Sequence, residues 1–362
     1  MWAEKLGGGH AGRASREAMG YGCGILGIAG WIMLGVRFGL TGMLFDDRRP
    51  AAVVLGFIDT VLRGVGQVML QNNTYAGLLF LAGVFYNSAL FGAGVLVGAT
   101  TSTAIAWIFG ADPARLRAGL FGFNGALVAV GLLYFLQPGA LTWVCVVFAA
   151  ACSSVLMAAM LNLFSQWKMP VLTAPFVFTT LCVFLATARF GRLQSTDMLP
   201  TAGLPHAVTV EGVVNGSTLI EGLFSGVAQV FFQASPVTGG LFVVGLLISS
   251  RPAAAAALGG SLIGLLAAWG MGAAEPAIRS GAFGFNSVLT AIALASVFLR
   301  PGVFSLVYAG LATIAAAVVF AAVSAALEPI GMPAMTLPFV LVVWVFVMAA
   351  SLFPRVGVVE TG

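Results

Sequence analysis

Apolar stretches alternate with short polar breaks over almost the whole chain, and they form two matched sets. The first set falls at about 51–71, 75–91, 92–109, 115–136, 139–163 and 169–188, the second at about 213–233, 237–250, 253–272, 277–299, 302–326 and 332–352. A helix that crosses a bilayer needs ~20 predominantly apolar residues, so most runs read as spans and the shorter ones as tilted segments. The run 115–136 is different. Arg115 and Arg117 open it and Gly119, Gly122 and Gly125 interrupt it; its counterpart carries Gly281 and Gly284. Glycine-broken apolar segments at matching places in two halves predict discontinuous or re-entrant helices beside a pathway, because irregular backbone survives at membrane depth only where protein or water satisfies it. Counting each broken run as half a crossing leaves five full spans per half, and an odd number turns the second half upside down. The expected fold is an all-α polytopic membrane protein: an inverted repeat of two homologous halves with about ten transmembrane helices and two tilted half-helices.

The duplication is also explicit in the residues. Arg-Ala-Gly-Leu-Phe-Gly-Phe-Asn-Gly-Ala-Leu at 117–127 returns as Arg-Ser-Gly-Ala-Phe-Gly-Phe-Asn-Ser-Val-Leu at 279–289, with seven of eleven positions identical at an offset of 162. The same offset carries Gly66-Gln67-Val68 onto Ala228-Gln229-Val230 and Asp59 onto Glu221. An offset of 163 carries Met169-Pro170-Val171-Leu172-Thr173-Ala174-Pro175-Phe176 onto Met332-Pro333-Ala334-Met335-Thr336-Leu337-Pro338-Phe339. The organisation expected is an N-terminal extension over 1–50, a first half over 51–188, a linker over 189–212, a second half over 213–352 and a tail over 353–362. The extension holds one apolar helix at 19–36, which no small-x-small cleavage site follows as it would a signal peptide. We read that helix as peripheral rather than spanning.

Composition narrows the class. Of 362 residues, 60% are hydrophobic and 8% charged, against about 25% charged in a soluble domain. The net charge of +4 comes from basic residues scattered singly in connectors. That pattern suits topology determinants and excludes a nucleic-acid partner. It places Arg48, Arg49, Lys168 and Arg355 in the cytoplasm, with Arg189 and Arg192 on the other side. Cys23, Cys145, Cys152 and Cys182 form no CxxC pair and read as packing residues.

Only Asp59 and Glu221, of twelve acids, lie within the runs, each near a segment start. They read as helix-end polar groups or as part of a permeation mouth. The histidines, His10 and His206, lie outside every run. An ion-coupled carrier usually keeps an ionisable group deep in the membrane. None is offered here, and this favours passive conduction of a neutral solute. No nucleophile–base pair, phosphate loop or metal-ligand cluster points to an enzyme or to a cofactor.

The chemistry left is the duplicated polar and aromatic residues. Gln67 and Gln229 are either interhelical glue or pore-facing amides that offer donor and acceptor to an uncharged solute. Thr173 and Thr336, each in Pro-x-x-Thr-x-Pro, either bond their own backbone or flank a pore centre. Phe123 and Phe285, with Leu127 and Leu289 one turn on, would wall such a pore; Asn124 and Asn286 would satisfy the helix breaks.

Together, Phe-Gly-Phe-Asn-Gly-Ala-Leu-Val, the Gly-Gln-Val context and the repeated Pro-x-x-Thr-x-Pro-Phe are a specific signature over roughly 50–352. The chain resembles the urea transporter family of bacteria and animals. The resemblance implies ten spans plus two tilted half-helices, a pore in each protomer of a homotrimer, and channel-like facilitated diffusion of urea across the plasma membrane, the inner membrane in a bacterium. Phenylalanine slots would take the flat molecule and a ladder of oxygens would accept its N–H bonds. Carried over by motif, the first half contributes Gln67, Phe123, Leu127 and Thr173, and the second Gln229, Val230, Phe232, Phe285, Leu289 and Thr336. Leu70 stands where members of the family can carry a phenylalanine, and Gln229 where some carry glutamate, so one slot is expected to be wider and less aromatic.

Rival readings differ in what they require. Water and glycerol channels use paired Asn-Pro-Ala half-helices, whereas here the asparagines precede Gly-Ala and Ser-Val; ammonia channels use paired pore histidines. A urea analogue would pass the same planar slot. A coupled secondary transporter needs the embedded ionisable group that is missing, and a structural scaffold leaves the symmetric Gln, Thr and Phe pairs without a use.

Overall fold

The computed structural model describes residues 50–205 and 210–359. The segment 19–36, the acids Glu4, Glu17, Asp46, Asp47 and Glu360, both histidines, Cys23, Arg48 and Arg49 lie outside the described residues. The chain divides into two units, Met1–Gly56 and Phe57–Gly362. Of the first unit only the opening turns of the first helix are described; all the other helices belong to the second.

Helices α1 (Pro50–Gln67), α2 (Thr74–Asn87), α3 (Ala89–Ile108), α4 (Pro113–Arg117), α5 (Gly122–Phe135), α6 (Ala140–Ser165) and α7 (Ala174–Thr187) are followed by α8 (Gly216–Ala228), α9 (Pro236–Ser249), α10 (Arg251–Gly270), α11 (Glu275–Arg279), α12 (Phe285–Ile292), α13 (Val303–Leu327) and α14 (Leu337–Ala350). The described residues contain helices and two isolated bridges but no strand. Residues that satisfy orphan backbone groups set the boundaries. Asn73 caps α2 by accepting from Tyr75 and Ala76 N–H; Ser88 and Ser250 each end one helix and cap the next.

Helix lengths correct part of the sequence reading. Among the described residues, α3, α6, α10 and Val303–Ile330 are long and apolar enough to cross a membrane; Gly216–Phe231 and Pro236–Ser249 make a fifth only as a pair bent by 73°. The 14-residue helices α2, α5, α7 and α14 rise ~21 Å at about 1.5 Å per residue, short of a ~30 Å hydrocarbon core. By themselves they are too short to cross it. The run 115–136 is α4, a break and α5, the discontinuous segment that its glycines predict. The first residues of the runs 169–188 and 332–352 are non-helical, because proline removes a donor and restricts the residue before it.

Close packing depends on small residues, as it must where lipid tails give no hydrophobic drive between helices. A Cβ added at Gly98 in α3 would stand 2.1 Å from the Gly125 carbonyl oxygen in α5; one at Gly264 in α10 would stand 2.6 Å from the Phe283 oxygen. Gly98→Val should therefore force α3 off α5, a steric cost of about 1–3 kcal/mol or more, and lower the thermal midpoint in detergent. Gly259→Val, where nothing lies within 4 Å, should leave it near wild type.

The seam between α2 and α9 is reciprocal. The Phe80 ring fills the space beside Gly245 and the Phe242 ring that beside Gly83, and the two rings meet edge-on at 5.2 Å. Asn87 donates to Gln233 across it at 2.7 Å. After α5 and after α12, the extended residues Leu136 and Leu299 bridge to Ser195 and Val358, so loop and tail fold back onto matching places.

Candidate functional site

Each helix break is shaped by one glycine. Gly119 and Gly281 have φ of 75° and 77°, a conformation that costs glycine little. They also press on the neighbouring helix: a Cβ at Gly119 would lie 2.4 Å from Gly64 N, and one at Gly281 would lie 2.2 Å from Gly226 N. One turn further along that neighbouring helix, the Gln67 amide donates to the Ala118 carbonyl at 2.8 Å and the Gln229 amide to the Ser280 carbonyl at 3.0 Å. The nitrogen ties the helix end to the break, and the oxygen accepts no hydrogen bond from the described residues.

The asparagines after the breaks hold the opposite element. Asn124 Oδ1 accepts from Phe176 N–H at 3.0 Å and its Nδ2 donates to the Leu172 carbonyl; Asn286 makes the same pair with Phe339 N–H and the Met335 carbonyl, both at 3.1 Å. Each asparagine substitutes for a missing cap at the start of α7 or α14, where Pro175 and Pro338 remove a donor. They also hold Leu172 and Met335 in left-handed backbone at φ 56° and 47°, which costs a side-chain-bearing residue roughly 1–2 kcal/mol. The next residue in each half is a threonine. The Thr173 and Thr336 hydroxyls, both buried, meet at 2.7 Å. They bond each other rather than their own helices.

A cavity of about 350 Å³ opens beside this pair. Gln67, Leu70, Phe123 and Thr173 line it together with Met157, Val297, Phe298 and Phe339. Four residues chosen from the sequence thus share one space, and the second half contributes three walls that sequence reasoning passed over. Phe339 could have been found, since it ends the Pro-x-x-Thr-x-Pro-Phe motif; Met157 and Val297 carry no repeat signal. Leu127, Leu289 and Val230 are fully buried and do not line this cavity. On the other side Phe232 is filled in by Tyr134, Phe135 and Phe176 at ring distances of 5.4, 5.8 and 6.2 Å, and Phe285 stacks edge-on with Phe320 at 5.4 Å.

The acids within the runs are paired. Asp59 bonds Arg63 at 2.8 Å and accepts from Thr74. Glu221 takes Arg279 at 2.9 Å, and Arg279 also reaches Glu275 at 2.8 Å. The hydrogen bond from Thr218, and then that from Arg279, holds the Glu275 carboxyl below its ordinary pKa. Pairs as exposed as Glu221–Arg279 contribute little stability. No group of His, Cys, Asp or Glu among the described residues could hold a metal ion.

Long apolar helices, interrupted helices and a solute-sized cavity between them define a multi-pass membrane protein. The chain belongs to the urea transporter family, whose model, described as Urea transporter, matches residues 58–351. It is 32% identical to urea transporter 1 of Rattus norvegicus over 251 residues, which are 68% of this chain and 65% of the rat protein. It is 29% identical to urea transporter 1 of Ovis aries over 314 residues, 83% of this chain and 79% of the sheep protein. The match thus spans slightly less than two thirds of the rat relative's length.

Proposed function

We propose that the chain conducts urea by facilitated diffusion through a pore within each protomer of a homotrimer, with Gln67, Leu70, Phe123 and Thr173 on one side of the centre and Gln229, Phe232, Phe285 and Thr336 on the other. The observation that carries this is the contact between Thr173 and Thr336. Two equivalent residues that touch each other straddle a local two-fold axis, and the reciprocal Phe80–Gly245 and Phe242–Gly83 contacts fit the same axis. An odd number of spans per half would lay that axis in the membrane plane and put the threonine pair at mid-depth.

The chemistry suits a planar neutral amide. Urea is hydrated through one carbonyl and four N–H bonds, and a pore must replace these as water leaves. The Gln67 and Gln229 oxygens have spare acceptor capacity, the threonine hydroxyls both donate and accept, and aromatic faces limit thickness. Asp59 and Glu221 are already paired, so neither is left to couple transport to an ion.

Light scattering from proteoliposomes tests the reading. Urea flux should rise linearly with its gradient, exceed glycerol flux and ignore membrane potential; collapse of flux with an uncoupler at fixed urea gradient would sink it. The inverted arrangement has its own check. Single cysteines in place of Leu120 and Ala282, equivalent at the 162 offset, should label from opposite faces of the membrane. Labelling of both from one face would refute the inversion.

A further inference from the structure

A second cavity, of about 260 Å³, opens between α6 and α7, away from the threonine pair. Phe148, Cys152 and Leu156 line it from α6, and Phe178, Cys182 and Val183 from α7. Phe148 and Phe178 are 67% and 44% exposed, so the groove lies on the outer surface of the helices. An apolar surface of this kind on a membrane protein is a place for hydrocarbon.

The groove runs toward two cations. Phe178, Cys182, Leu185 and Arg189 stand at i, i+4, i+7 and i+11, which puts them on one helix face. The Arg189 N–H donates to the Ala186 carbonyl at 2.9 Å and continues the turn past the end of α7. Arg189 thus stands ~10 Å along from Cys182, at about 1.5 Å per residue. Arg192 follows three residues on. Both arginines are exposed, and neither pairs with a carboxylate among the described residues, Asp197 included. On the orientation read from the sequence they fall on the non-cytoplasmic side, where positive charge does not serve topology.

The second half has the same groove position filled. The offset of 163 carries Cys145, Val183 and Phe190 onto Tyr308, Phe346 and Phe353. There the Tyr308 ring meets Phe346 at 4.9 Å and Phe353 at 5.8 Å, and its hydroxyl donates to the Phe346 carbonyl at 2.8 Å. A thiol and a valine leave that space open in the first half. The basic pair is not repeated either. Leu352 replaces Arg189, and Arg355, the counterpart of Arg192, lies over the Phe304 ring at 5.1 Å.

We propose that the α6–α7 groove is a binding site for an anionic diacyl phospholipid. One acyl chain lies over Cys152 and Cys182, and the phosphate is held by Arg189 and Arg192, whose planar guanidinium groups match phosphate oxygens in pairs. The site goes beyond the pore and does not depend on what the pore conducts.

The test uses the full chain, purified in detergent and stripped of lipid, with dioleoyl phosphatidylglycerol as probe. Native mass spectrometry should find one such lipid retained per protomer. Dioleoyl phosphatidylcholine should be retained about ten-fold less, and glycerol 3-phosphate, which has the phosphate without the chains, should not bind. Arg189→Gln with Arg192→Gln should weaken retention about ten-fold, and Val183→Phe should do the same by filling the groove as Phe346 does in the other half. Arg300→Gln with Arg355→Gln, at the equivalent end of the second half, should leave retention unchanged. Alkylation of Cys182 by N-ethylmaleimide locates the lipid: phosphatidylglycerol should slow it about ten-fold in the wild type and hardly at all in the Arg189, Arg192 double variant. Equal retention of the two lipids, binding of glycerol 3-phosphate, retention unmoved by the glutamines at 189 and 192, or equal loss with those at 300 and 355 overturns the proposal. If Val183→Phe does not fold, Cys182 decides the groove: protection supports it and unchanged alkylation refutes it.

Discussion

Thr173→Val and Thr336→Val should each lower urea permeability about five-fold, the effect of losing one hydrogen bond worth ~1 kcal/mol at the point where the solute is least hydrated. Valine keeps the shape of threonine and replaces the hydroxyl with a methyl. The two hydroxyls share one bond of 2.7 Å, so either substitution alters both: it deletes one group and strands the other in a buried site. The double variant should therefore lose less than the product of the two single losses, since residues in contact are not additive. Thr→Ser at either position should restore conduction. Thr142→Val is the control, because the Thr142 hydroxyl donates to the Gln137 carbonyl and does not line the cavity. Stopped-flow light scattering on protein matched for amount measures every variant. If both valine variants conduct like wild type, the pore centre is elsewhere.

Asn124→Ala and Asn286→Ala should have the largest effect on stability. Each amide satisfies two buried backbone groups, an N–H at the start of a proline-opened helix and a carbonyl in left-handed backbone. Leaving a buried polar group without its partner costs about 1–3 kcal/mol, so each variant loses about twice that if no water enters. The thermal midpoint in detergent should fall for both. Asn124→Asp, which would bury a carboxylate facing the Leu172 carbonyl, should lower a midpoint measured at neutral pH at least as much as alanine. Surviving alanine protein should also conduct less urea, because the turn that the amide holds is the one that presents the threonine. A midpoint unchanged in Asn124→Ala would mean that the α7 start is held by something other than Asn124.

Much of the architecture was legible in the chain alone. Matched apolar runs give the helices because burial in lipid demands that each segment satisfy its own backbone. Gly119 and Gly281 mark the breaks because few other residues adopt their conformation at no cost. The duplicated Gln, Asn and Thr stand out because an apolar segment keeps a polar group only at a cost. Other features were out of reach. Helices of 14 residues are hidden inside longer apolar runs, since hydropathy does not show where a helix gives way to a turn of equally apolar residues.

The sequence by itself determined the membrane class, the duplication, the glycine breaks and the polar pairs, because each is a local demand that one stretch of chain must meet. Only the tertiary structure decided which pairs meet. Thr173 and Thr336, 163 positions apart, share a hydrogen bond, while Leu127 and Leu289, one turn after Phe123 and Phe285, are buried and do not line the cavity. It also decided that Leu70 fronts an open chamber and Phe232 a filled one. Direction and width depend on how helices from both halves cross, and that crossing is set by packing among distant residues.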